Sequence, residues 1–112
     1  MNEPGTYRVF LESMDDDDWF VVHVPLDAEG NLGTGPQPYL VKALWEGYVS
    51  YGELEHTGES YNVIHWAGEA VDSLTELLTA PLKLGSIVRI HEGDDAEGSD
   101  AYAFRVRDLR RL

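Results

Sequence analysis

Residues 6–13 (TYRVFLES) and 19–24 (WFVVHV) alternate apolar with polar side chains, and between them stands Met14-Asp15-Asp16-Asp17-Asp18. A period of two in segments rich in aromatic and β-branched types marks strands with one buried face. Four adjacent carboxylates repel one another into water, and Asp supports turns by bonding its own backbone. The chain therefore opens with an antiparallel hairpin whose tip is a concentrated negative point, and antiparallel sheets commonly bury one face and wet the other.

The motif returns near the end. Residues 86–92 (SIVRIHE) and 101–109 (AYAFRVRDL) alternate around EGDDAEGSD, a second acidic hairpin. Between the two hairpins, residues 25–38 (PLDAEGNLGTGPQP) are rich in Gly and Pro and read as a long loop, of the kind that can cover a ligand site. Residues 39–54 are dense in Tyr, Val and Trp, with Gly47 and Gly52 at positions that suit bends, and the expectation is one long or broken third strand. His56 to Ser60 form a turn. Ile64, Ala67, Val71, Leu74 and Leu78 then recur at spacings of three and four, widened by Ala70 and Leu77, which predicts an amphipathic helix ending at Pro81.

The resulting order is β-β-β-α-β-β. It predicts an α+β fold, an antiparallel sheet of about five strands with one helix packed on one face; the alternative is a small β-barrel with one helix across its mouth. At 112 residues, 43% hydrophobic and 11% aromatic, the chain is expected to form a single domain over residues 1–112.

Charge decides among partners. The formal net charge is −13, and residues 1–82 hold fifteen acids against only Arg8 and Lys42. Such a surface repels phosphate, so direct nucleic-acid binding is disfavoured. Complementary charge instead speeds capture of a basic protein. Arg105 and Arg107 alternate with Phe104 and Val106 as the outer face of a strand.

Motifs for chemistry are sparse. There is no cysteine, which removes thiolate zinc sites and thiol chemistry. His65 with Glu69, and His56 with Glu59, are pairs at helical spacing without the third and fourth ligands that a zinc site needs, and 92–100 lacks the spaced acids of an EF-hand. His23 and His91 fall within strands. No nucleophile elbow or phosphate loop is present, so no catalytic residue, metal or cofactor is assigned and an enzyme is not expected. No apolar run is long enough to span a membrane and the first residues lack a secretory signal, which leads to the expectation of a cytoplasmic protein without a membrane partner, monomeric or weakly dimeric.

Residues Tyr7–Glu12, the acidic turn and Trp19–Pro25 together resemble the start of the HicB antitoxin family, and residues 69–78 are similar to its helix; the likeness covers about a third of the chain. It lacks the Gly expected in the turn and the Pro-Gly after the second strand, and a long insertion separates its parts.

The leading expectation is a small acidic inhibitor of immunity, antitoxin or anti-defence type that caps a basic toxin or nucleic-acid-acting enzyme. Its expected contacts are Asp15, Asp16, Asp17, Asp18, Glu53, Glu55 and Glu59, with Trp45, Tyr48 and Tyr51 as aromatic anchors, since exposed rings within a charged rim bury area at low entropic cost. Alternatives are a nucleic-acid mimic of anti-restriction or anti-CRISPR type, a small-ligand-binding or enzymatic domain using loop 25–38 as a lid, and an assembly subunit of a phage or larger complex.

Overall fold

Eight strands run up and down in chain order until the first pairs with the last, closing an antiparallel barrel in the computed structural model, which describes residues 3–112. The strands are β1 (Gly5–Ser13), β2 (Trp19–Leu26), β3 (Tyr39–Trp45), β4 (Tyr48–Glu55), β5 (Asn62–Trp66), β6 (Ser73–Thr75), β7 (Ile87–His91) and β8 (Ala101–Arg111). Closure removes the sheet edges that an open sheet of this size would have to protect.

The expected α+β sandwich is overturned. No helix forms over residues 64–79: Asn62–Trp66 is β5, Ser73–Thr75 is β6, and the rest is connection. Ile64, Leu77 and Leu78 are buried, but Ala67, Ala70 and Val71, which a helix would bury with them, are exposed. The three-and-four spacing was a coincidence of two short strands and a plug. Two local features oppose a helix. Asn62–Trp66 is rich in residues that fit a pleated surface, and Gly68 has φ +78°. The backbone groups of β4 and β7 also need partners, and β5 and β6 complete the ring between them. A barrel capped by a helix fails for the same reason, as does the likeness of residues 69–78 to the antitoxin helix.

The expected single third strand is in fact a hairpin. β3 and β4 pair from Tyr39↔Leu54 to Trp45↔Tyr48, and Glu46-Gly47 turn the chain with φ of +52° and +87°. Positive φ at both central positions is the pattern of the two-residue type I′ turn, whose twist matches that of the flanking strands.

Side chains fill the barrel. On β1, Tyr7, Val9 and Leu11 point in while Arg8, Phe10 and Glu12 point out; Phe20, Val22 and Val24 do the same from β2, and Val88 and Ile90 from β7. At one end an aromatic layer closes the core: Phe20 touches Trp45, Trp66 and Phe104 at centroid distances of 5.1, 5.8 and 4.8 Å. Leu77, Leu78 and Leu82, from the β6–β7 connection, are buried in the same core. Buried Asn62 ties that connection to β5, its amide donating to the Leu77 carbonyl at 2.6 Å and its Oδ1 accepting from Thr57 N at 3.0 Å. Of loop 25–38, read above as a possible lid, Pro25 and Leu26 belong to β2, and the remainder is fastened to the same connection: Leu82 N donates to Gly30 O at 2.8 Å.

Candidate functional site

An up-and-down barrel gathers alternate connections at the same end. The β1–β2, β3–β4, β5–β6 and β7–β8 connections therefore share one mouth, and every ionisable side chain in them is an acid. The first contributes Asp15 to Asp18, the second Glu46, the third Glu69 and Asp72, and the fourth Glu92, Asp94, Asp95, Glu97 and Asp100. Twelve of the chain's twenty-one acids stand there without a Lys or Arg. The opposite end carries Asp27, Glu29, Glu59 and Glu76 with Lys83, while seven of the eight bases lie on strands. Nearly the whole net charge of −13 is thus concentrated at one pole.

Part of that charge builds the loops and part is free. Ser13 Oγ accepts from Asp15 N and Asp16 N at 3.2 and 3.3 Å, and Asp16 Oδ1 accepts from Asp18 N at 2.9 Å. Asp18 Oδ2 reaches across to accept from Glu46 N at 3.1 Å, joining the first two turns. In the fourth connection Asp95 Oδ1 accepts from Glu97 N at 3.0 Å. Asp15, Asp17, Glu69 and Asp94 hold no backbone group among the described residues and face water.

Under the carboxylates lies an aromatic floor. A cleft of about 270 Å³ is lined by Trp45, Tyr48 and Trp66 with Glu46, Glu69 and Glu92, and Tyr102 packs edge-on against Trp45 at 5.6 Å. Trp66 Nε1 donates to Ser73 Oγ at 2.8 Å, which fixes that ring. The Glu46 carboxyl is raised above the usual range, first by its hydrogen bond with Glu92, then by burial and by the Glu92 and Asp18 charges. Burial, followed by the charges of Glu92, Asp100 and Glu46, raises the Tyr102 phenol. A cationic group entering the cleft would meet both carboxylate oxygens and ring faces, each of which favours it.

Glu46 occupies a left-handed position that Asn tolerates better, and its raised carboxyl favours the protonated form. With a folded value above the unfolded one, its contribution to stability is fully present below the ordinary carboxylate range and is lost as pH rises through the raised value. Glu46→Asn is therefore expected to raise the melting temperature at pH 7 by roughly 4 °C, equivalent to about 1 kcal/mol. The gain should shrink at pH 4. An equal gain at both pH values would assign the whole effect to the backbone.

The expected contact residues divide between three places. Asp15 to Asp18 meet Trp45 and Tyr48 at the mouth; Tyr48 is 76% exposed, whereas Trp45 is half-buried in the floor. Tyr51 and Glu53 lie on the outer wall of β4. Glu55, also on that wall, bonds His65 Nε2 at 2.7 Å, and Asp72 bonds His65 Nδ1 at 3.0 Å. These bonds, that to Glu55 foremost, raise the imidazole above its ordinary value against the opposing effect of burial. Glu59 is at the opposite end, in the β4–β5 connection. Sequence reasoning missed eight acids of the site, Glu46, Glu69, Asp72 and the five acids of 92–100, and Trp66 and Tyr102 as its floor; the alternation of connections between barrel ends is the signal that joins them.

The histidines do not assemble. His65 faces Glu55 and Asp72 rather than Glu69, His23 is on the wall of β2, and His91 is buried beneath the Tyr61 ring at 5.3 Å. Among the described residues no group of three or more His, Asp or Glu side chains converges as metal ligands would. Compared with known proteins, the chain matches no family model, no curated protein and no solved structure.

Proposed function

We propose that the acidic mouth is a protein-binding surface that caps a basic partner, in the manner of an immunity, antitoxin or anti-defence inhibitor acting on a basic toxin or a nucleic-acid-acting enzyme. One observation carries the reading: twelve acids and no Lys or Arg surround an aromatic-floored cleft at one end of a closed barrel. A pole of one sign steers a basic partner into orientation before contact and raises the association rate by roughly ten to a thousandfold. Exposed Tyr48, with the Trp45 and Trp66 rings behind it, supplies the desolvated anchors on which affinity depends. The same surface repels phosphate, so a nucleic-acid-acting partner would be held through its own basic groove.

The test is a variant that neutralises only carboxylates without a role in the turns: Asp15→Asn, Asp17→Asn, Glu69→Gln and Asp94→Asn together. Wild type and variant, immobilised side by side, are exposed to extract from the source organism. A basic protein held stoichiometrically by the wild type is expected to associate with the variant at least about tenfold more slowly at low salt, the gap closing as salt rises. Equal rates for the two proteins would remove the mouth from the interface.

A further inference from the structure

Away from the mouth, the outer wall of β1 to β4 departs from what a barrel in water requires. Strand register sets Phe10, Val21, Lys42 and Tyr51 side by side in one row, with Trp19, Leu44 and Val49 in the row above. Outward positions on such a barrel are ordinarily polar. Here most of these seven are apolar or aromatic; Val49 and Tyr51 are exposed, as is Leu40 below them. Together with Arg8 and His23, several of these side chains line a groove of about 450 Å³, within the size range of small-molecule sites.

The groove collects positive charge in a chain that has little. Arg8 and Lys42 are the only Lys or Arg in the first 82 residues, and both line it, one on each side of β2. Arg8 is the cross-strand neighbour of His23. Although acids outnumber bases by twenty-one to eight, neither cation has a carboxylate within ion-pairing distance among the described residues. The Lys42 ammonium lies over the Tyr51 ring instead, 5.7 Å from its centre. Unpaired cations over an apolar floor complement an anion with an apolar body.

We propose that this groove binds a small amphipathic anion, a hydrocarbon or aromatic body carrying one carboxylate, with the body on Phe10, Trp19 and Val21 and the head between Arg8 and Lys42. Burial of the body supplies the bulk of the affinity, and the planar guanidinium supplies a two-point grip on the carboxylate. Arg8, level with His23, stands four residues down β2 from Trp19 and the acidic mouth, and Lys42, level with Val21, stands two. At ~3.3 Å per residue a head midway between them is ~10 Å from the Trp19 row, beyond the ~8 Å over which exposed charges act at physiological salt. The mouth's charge is therefore largely screened at a head held there.

The experiment titrates decanoate into the full chain at physiological salt, below its micelle concentration, followed by calorimetry and tryptophan fluorescence. Decyltrimethylammonium provides the same tail with the opposite head. Because the acidic mouth itself favours a cation, the two probes are compared by the part of the fluorescence change that Trp19→Phe removes, which reports the groove; by that readout decanoate is expected to saturate at one per chain and to bind at least about tenfold more tightly than the cation. Arg8→Gln with Lys42→Gln should weaken it by about tenfold or more, the effect of losing one charge-assisted hydrogen bond. Trp19→Phe should abolish the fluorescence change. Both charge substitutions fall at outward positions, and unchanged unfolding midpoints would show that the barrel is intact. Equal binding of the two probes by the Trp19-dependent readout, unchanged decanoate affinity in the double variant, or no saturable binding would each overturn the proposal. So would a concentration-dependent dimer that shields Trp19 without decanoate, since a second copy would then be the occupant. Neutralising the mouth should leave decanoate binding unchanged, so this test and that of the acidic surface fail separately.

Discussion

Phe20→Ala is expected to cost about 4 kcal/mol of stability and to lower the melting temperature by roughly 15 °C. Phe20 is fully buried, and its ring touches Trp45, Trp66 and Phe104, which come from three other strands. Truncation removes the transfer free energy of the ring and leaves a cavity that rings fixed on separate strands cannot close. Trp45 and Phe104 stack with centroids 5.8 Å apart and 18° between planes, and Trp66 is held by Ser73, so none can tip into the gap without losing a contact of its own. Small domains have about 5–15 kcal/mol in total, so the variant should be marginal at 37 °C. Phe20→Leu retains much of the volume and should cost roughly half as much. Chemical denaturation of both proteins is the measurement. A loss below about 1.5 kcal/mol for Phe20→Ala would mean that the aromatic layer repacks, and the cleft floor would then be plastic rather than preformed.

How much of this architecture is legible in the chain depends on segment length. β1, β2, β7 and β8 alternate over five to eleven residues and are visible as strands. β6, of three residues, is too short for a period of two to show, and β5, although as long as β7, is masked because Ile64, Val71, Leu74 and Leu78 happen to fall at helical spacing from it onward. Long-range pairing overrides that local pattern, because β5 takes up Gly52–Glu55 of β4 and β6 meets β7 at Ile90, which closes the ring. The β3–β4 hairpin was hidden by chemistry: its first turn residue is Glu46, not the Asn or Asp that usually signals positive φ. At the candidate site, the tetra-aspartate turn is plain in the sequence as an exposed tip. Its proximity to Glu69, Asp72 and Glu92 to Asp100 is a property of strand order, and so is the convergence of Arg8 with Lys42 across β2. Charge composition indicates what such a surface attracts, and topology decides where the surface is.

Two glycines with nearly the same backbone angle separate local strain from tertiary fit. Gly30 and Gly47 have φ of +86° and +87°, a region that costs an L residue about 1 kcal/mol. A Cβ on Gly47 would meet nothing within 4 Å, so Gly47→Ala should lose about that amount and no more. A Cβ on Gly30 would sit 2.4 Å from the Leu82 carbonyl oxygen and 3.1 Å from Leu82 N, backbone atoms that cannot swing aside as a side chain does. Relief requires residues 27–38 to separate from the connection that carries Leu77, Leu78 and Leu82 into the core, breaking the Leu82 N to Gly30 O bond. Gly30→Ala is therefore expected to cost about 3 kcal/mol or more, from backbone strain together with a lost hydrogen bond and loosened core packing. The two substitutions add the same methyl group, so the difference between their unfolding free energies isolates the contact with Leu82. A difference near 2 kcal/mol would establish residues 27–38 as part of the barrel's closed end, whereas equal losses would show a loop that yields freely and restore it as a candidate lid. Since Gly30 lies at the end remote from the twelve acids, its replacement should change stability without changing the association rate of a basic partner at the mouth.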